Sequence, residues 1–248
     1  MSVELSAAVP ARPHASAIAL LPLALAAALA VGSSGFGTRF GVWDYRVGFA
    51  VLRWAAWAGL AVAALVVLAL LTPKLRARHA GTLVAALVLS AAAAVPLYWM
   101  LQARKMPSIN DITTDTANPP EFDAVIPLRA GSSVPVKYPG AATAKQQLAG
   151  YPELRPALLS STPAAAFDAA LATARQMGWD IVATDPAAGR FEATATTPWF
   201  GFKDDVVVRV TPREAGSRVD VRSLSRVGRG DLGANARRIE AYVAKLSP

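Results

Sequence analysis

The sequence contains no cysteine, and its two histidines, His14 and His79, both precede residue 102. Everything after that point works without a thiolate or an imidazole. A Cys-His pair, a Ser-His-Asp triad and a usual zinc site are excluded there, as are disulfides. The missing cysteine does not identify a compartment, because an exported domain can do without disulfides. The second half also lacks a charge excess. Nine of the 25 Lys and Arg fall in residues 1–105 against two acids, and the other sixteen face fifteen acids in residues 106–248. The net charge of +8 therefore surrounds the N-terminal part, where membrane topology uses it. A nearly neutral second half carries no nucleic-acid footprint, so no nucleic-acid partner is expected.

What is present first is apolar length. Residues 15–31 are broken only by Ser16 and Pro22, and residues 54–71 and 80–101 are uncharged throughout. Runs of this length are costly in water and satisfy their backbone as helices in lipid. Trp54, Trp57, Tyr98 and Trp99 suit interfacial anchors. The first run also fits a cleaved signal peptide, with Ala28-Leu29-Ala30 as a small-residue site, although its basic flank is only Arg12. Either way the second run returns inward and the third goes out. Lys74, Arg76 and Arg78, with no acid, mark the segment between runs two and three as cytoplasmic. Arg12 joins them on that side, while Arg39, Arg46, Arg53, Arg104 and Lys105 fall outside. The dense short segment is given more weight, since short loops orient best. The expectation is a multi-pass protein of the bacterial inner membrane with an extracytoplasmic C-terminal domain.

The expected organisation is a membrane region over 1–105, an extended linker or domain start over 106–150, and a soluble domain over 151–248. The linker is rich in Pro, Gly, Ser and Thr, with one short strand expected at 124–128. Ser161-Thr162-Pro163 is a helix start, with a hydroxyl cap and Pro in the first turn. Phe167, Ala170, Leu171, Ala174 and Met177 then share one helical face, and Gly178 ends the helix. Strands are predicted at 179–184, 190–197, 205–211 and 218–225 from alternation and turns. Leu232, Ala236, Ile239, Val243 and Leu246 form the stripe of a terminal helix. The predicted fold is α+β: a four-stranded antiparallel sheet covered on one face by two helices.

Several stretches carry a resemblance. They are Phe200-Gly201-Phe202-Lys203-Asp204-Asp205-Val206, the run from Val219 to Gly228, and the run from Asp231 to Ile239. Together with Tyr151-Pro152 and Met177-Gly178-Trp179 they resemble the bacterial and plastid family called domain of unknown function 1499, over roughly residues 108–246. The resemblance implies an exported or lipoprotein-like domain and assigns no reaction. Many members carry a Cys shortly after an Asn near the domain start. Here Asn110 is followed by Asp111, so any role of that Cys is absent.

The candidate site residues are charged or aromatic. Asp204 and Asp205 follow the aromatic stretch Trp199-Phe200-Gly201-Phe202. They suggest a hydrolytic acid pair or a hard-cation site. Alternatively they pair with Lys203 or Arg209, because adjacent acids on a strand point apart. Alternation puts Glu192, Arg209, Asp220 and Arg222 on polar strand faces, either as a binding surface for a charged ligand or as a solvated ladder. Arg226, Gly228, Arg229 and Gly230 lead into the terminal helix, whose start suits an anion, although Asp231 is placed to cap it. Asn235 belongs to the same signature. Trp199 and its neighbours form either a recognition loop, one able to enter a membrane surface, or core packing. The leading expectation is a membrane-anchored binding module that uses Trp199, Lys203, Asp204, Asp205, Arg209, Asp220, Arg222, Arg226 and Asn235. Its partner would be an envelope protein, a polymer or lipid headgroups, with no cofactor. The alternative is an envelope hydrolase using Asp204, Asp205 and Asp220, with or without a divalent metal. Transport by the spans is not expected, because they lack buried charges.

Overall fold

A computed structural model describes residues 15–246, with side chains from residue 18. Glu4, Arg12 and His14 lie outside the described residues. The chain divides into two compact units, Met1–Leu101 and Gln102–Pro248.

In the first unit, the described residues form α1 (Ala15–Arg39), α2 (Tyr45–Leu71) and α3 (Pro73–Ala103). By length and composition each is able to cross a membrane. At about 1.5 Å per residue, even the 25 residues of α1 exceed a hydrocarbon core of about 30 Å. All three helices are longer than the apolar runs suggest. α2 starts at Tyr45 because the Asp44 carboxylate accepts the N–H of Arg46 at 2.9 Å. Only Thr72 separates α2 from α3, so Lys74, Arg76 and Arg78 sit on a helical turn rather than in a loop. That turn bends into the rest of α3 at His79, whose φ of −132° leaves the helical region. The helices pack through small residues. A Cβ on Gly59 would stand 2.7 Å from the Ala93 Cβ, so α2 and α3 approach closely there. Leu20, Ala24, Val62, Val66, Leu83 and Ala86 close the interior, while Trp54, Trp57, Leu68 and Trp99 point outward.

The second unit is α+β, as predicted, but its sheet has six strands rather than four. They are β1 (Asp111–Thr113), β2 (Ala157–Leu159), β3 (Asp180–Asp185), β4 (Arg190–Thr196), β5 (Lys203–Arg213) and β6 (Gly216–Ser225). The order is β1-β6-β5-β4-β3, and β2 also pairs with β6. Every pairing is antiparallel. β1 and β2 share the outer edge of β6: Thr113 lies opposite Arg222, and Leu159 opposite Ser217. The residues expected to form a strand at 124–128 lead instead into a 3-10 turn, Ile126–Arg129. Pro127 removes an N–H that a sheet ladder would need.

Three helices complete the domain: α4 (Ala141–Gly150), α5 (Pro163–Gln176) and α6 (Ala234–Leu246). Thr162 caps α5 by accepting the N–H of Ala165, Pro163 opens the first turn, and Gly178 follows the end with φ +73°. α5 and α6 bury Phe167, Ala170, Ala174, Ile239 and Tyr242 against Phe191, Val206, Val208, Val219 and Val221. Trp179 stacks on Tyr242 at 4.8 Å, and the Tyr242 hydroxyl donates to the Ala170 carbonyl at 2.7 Å. Leu232, expected in the stripe of α6, instead precedes the helix and is exposed. α4 supports the free edge of β1. Its buried Gln147 donates to the Thr113 carbonyl at 2.7 Å and accepts the Thr113 N–H at 3.0 Å, as a further strand would.

Candidate functional site

Strand alternation puts Glu192, Thr194, Asp205, Arg209, Asp220 and Arg222 on the face of the sheet away from α5 and α6. The structure brings these side chains together and then covers them with residues 114–139, which cross that face as an irregular strap. The Arg222 side chain is 2% exposed. Its fork donates to both oxygens of Asp111 at 2.9 and 2.8 Å. The same guanidinium reaches the carbonyls of Pro120 and Val136 at 3.1 and 2.7 Å. It lies over the rings of Phe122 and Tyr138, at 4.9 and 5.4 Å.

The neighbouring carboxylates are equally occupied. Asp205, fully buried, accepts from Arg129 at 2.5 Å, from Arg226 at 2.7 and 3.0 Å, and from the Thr194 hydroxyl at 2.8 Å. Asp220 accepts two bonds from Arg218 at 2.8 and 2.9 Å, one from Arg209 at 3.4 Å and one from Thr114 at 3.0 Å. Glu192 accepts the N–H groups of Asp123, Ala124 and Val125. Arg209 also reaches Asp115 and the Asn118 carbonyl, both at 3.0 Å. The charged face thus holds the strap by its main chain. A small apolar cluster of Phe122, Val125, Val207 and Leu224 holds it by packing. The Tyr138 hydroxyl is buried beside this cluster with no partner. Burial, then the Asp111 charge, push it up to about 12.

Asp204 points the other way. It pairs with Arg238 at 2.5 Å, and Arg238 also donates to Asn235 and, at 3.0 Å, to the Ser223 hydroxyl. Asn235 is fully buried and donates to the Asn110 carbonyl and the Ser225 hydroxyl, at 3.1 and 3.0 Å. Asp231 accepts the N–H groups of Gly233 and Asn235 at 2.8 and 2.7 Å. A carboxylate of this chain therefore occupies the start of α6, and burial raises its pKa.

Of the expected site residues, Lys203 is exposed, and Trp199, Arg209 and Arg226 are partly so. In the turn 197–202, the Phe202 N–H donates to the Thr197 hydroxyl and the Thr197 N–H to the Phe202 carbonyl, both at 2.8 Å. Phe200 is buried and stacks on Phe202 at 5.3 Å, with Trp199 edge-on at 5.0 Å. Trp199 is half-buried and Lys203 is exposed. Beside this turn lies an open cleft of about 300 Å³ lined by Met177, Gly178, Trp179, Pro198, Arg237 and Arg238, among others. Segments far apart in sequence, 177–179, 195–198 and 234–238, meet there.

Asp204 and Asp205 lie on opposite faces of β5, and Asp220 is ion-paired on a neighbouring strand. No two of the three converge on a shared open space. Among the described residues, no group of three or more His, Asp or Glu is placed to share a metal ion. Asp111, Arg129 and Arg238 complete the networks but carry no periodic signal in the sequence. Arg238 was legible only as part of the signature Asp231–Ile239.

A family model described as "Protein of unknown function (DUF1499)" matches residues 111–246, more than half of the chain. No curated protein matches it.

Proposed function

The chain belongs to the DUF1499 family, whose function is unknown, and we propose that it is a membrane-anchored binding module with its domain outside the cytoplasm. Apolar helices able to cross a membrane support the anchor. Lys74, Arg76 and Arg78, clustered with no acid between α2 and α3, support a cytoplasmic turn there and an outward exit of α3.

One observation carries the binding half: three segments of the domain converge on the cleft that ends at Arg237 and Arg238. Arg237 is exposed at its rim. Trp179 and Pro198 give apolar walls, and Lys203 and Trp199 border the same end of the sheet. An exposed guanidinium beside apolar walls suits an anionic group carried on an envelope protein, a polymer or a lipid headgroup. In this reading Asp204 and Asn235 hold the cleft's Arg238 in place, Asp205, Asp220 and Arg222 lie on the other face of the sheet under the strap, and none of the five touches the ligand. Their buried pairing, with Asp204 and Asp205 on opposite faces, gives the hydrolase reading no supporting observation.

The test is crosslinking in intact membranes followed by mass spectrometry, with the full chain and its Lys203→Ala/Arg237→Ala variant. The species crosslinked by the full chain is expected to disappear in the double variant and to persist in Leu158→Ala, a change on β2. Equal recovery from all three proteins would contradict the cleft assignment.

A further inference from the structure

The cleft belongs to one end of the domain, and that end has a composition of its own. Residues 197–203 and 226–233 contain Lys203, Arg226 and Arg229 against a single acid, Asp231. Asp231 is turned inward on the start of α6, and Arg226 is paired with Asp205. Lys203, Arg229 and the nearby Arg237 are exposed, with the exposed Glu240 one turn along α6, so exposed cations outnumber exposed acids at this end.

It also presents apolar side chains. Leu232 is 54% exposed and has φ +55°, the only described non-glycine residue with positive φ. A leucine occupies that region only when its surroundings impose it. Here Asp231 grips the N–H groups of Gly233 and Asn235 just beyond it, and Arg237 donates to the Leu232 carbonyl at 3.0 Å. The strained backbone aims an apolar side chain at solvent. Leu128, also exposed, is tied to Arg226 of this end, its carbonyl accepting from that guanidinium at 2.8 Å. The half-buried Trp199 lies on the adjoining turn.

The chain enters the domain at this same end. Ser108 donates to the Arg229 carbonyl, Asn110 to the Gly228 carbonyl, and the Asp231 N–H to Ile109. Only residues 104–107 separate Ser108 from the last residue of α3, Ala103. The five extended steps from Ala103 to Ser108 span at most about 18 Å, and the tether itself carries Arg104 and Lys105.

We infer that this end of the domain docks on the bilayer surface in which the chain is anchored, with Leu232 and Leu128 entering the interface and Lys203, Arg229 and Arg237 meeting anionic headgroups. Apolar side chains ringed by cations are what an anionic interface binds, and a short tether keeps that surface at high effective concentration. The inference rests on the anchored reading above and names the partner of that same end.

The absence of cysteine makes the test direct, because any introduced cysteine is the only one. The full chain carrying Leu232→Cys or Leu158→Cys, each with a nitroxide label, is reconstituted in bilayers of phosphatidylcholine and phosphatidylglycerol. The label at 232 is expected to be accessible to oxygen and several-fold less accessible to a water-soluble nickel chelate than the label at 158. Leu158 is equally exposed, at 55%, but lies on β2. Adding Lys203→Glu and Arg229→Glu is expected to return the 232 label to water without changing the spectrum at 158, which reports the fold. The inference is overturned if the 232 label is as aqueous as the 158 label. Exclusion of both reagents from 232, as at a protein interface, overturns it too, as does immersion that survives charge reversal. None of these outcomes touches the anchor itself, which topology fusions report separately.

Discussion

Arg222 illustrates what the charged residues of this domain do. A guanidinium removed from water is tolerated when its donors and its charge are both matched. Arg222 has a bidentate carboxylate, two carbonyls and two aromatic faces. Removing it strands Asp111, 1% exposed, without its counter-charge. Arg222→Ala is therefore expected to cost about 3–5 kcal/mol, a large share of a typical domain's 5–15 kcal/mol, on the order of which folding rests. Lys203→Ala, at an exposed site, should stay within about 0.5 kcal/mol. Thermal denaturation of the full chain in detergent checks both, and a normal melt for Arg222→Ala would show that the buried pair holds nothing. Tyr138 gives the complementary case. Its buried hydroxyl has no partner, so Tyr138→Phe should be neutral or stabilising at neutral pH. The unfolded phenol ionises near 10.0 and the folded one near 12. Ionisation thus favours the unfolded chain as pH rises through that window, and stability falls there. The variant is expected to lose less stability across the same window, and an identical alkaline profile would count against the raised value.

At the scale of elements, legibility followed period and length. β3 to β6 were readable because each runs six residues or more between turns, with plain alternation in β4 and β6, and α5 because Thr162, Pro163 and Gly178 punctuate it. β1 and β2 were not, since three residues are too few to show a period. α4, in the segment expected to be an extended linker, has only two buried side chains and so little stripe. The polar faces of β4 to β6 were legible as alternation. Their burial was not, because the strap that covers them has no period and is held by its main chain. Glu192 accepting three consecutive strap N–H groups leaves no mark in the strap's sequence. The β5–β6 turn offers a test at this scale. Gly216 has φ +105°, and a Cβ there would stand 2.0 Å from the Leu159 carbonyl oxygen. Gly216→Ala is expected to cost about 1–3 kcal/mol from strain alone and to loosen β2. Gly131, at φ +82° with open space around it, is the control for backbone strain without the clash. Hydrogen exchange should show faster exchange along β2 for Gly216→Ala only; unchanged protection would mean that β2 does not depend on the turn.

At the scale of the molecule, an apolar helical unit precedes a domain whose charges are largely spent on one another. Such a domain has little exposed machinery of its own, and its position becomes a large part of its chemistry. The side of the membrane decides which partners the cleft and the basic end can meet. The proposed topology, three crossings with the cationic turn at Lys74–Arg78 in the cytoplasm, would put the domain outside. Transfer of the apolar helices to a bilayer is compatible with either orientation, so the cationic turn is what discriminates. The most direct measurement is a pair of fusions after residue 248, one to alkaline phosphatase and one to green fluorescent protein. An anchored, outward-facing domain predicts active phosphatase and a dark fluorescent fusion. A fluorescent fusion with inactive phosphatase would contradict it and move the domain, with its cleft and its basic end, to the cytoplasmic side.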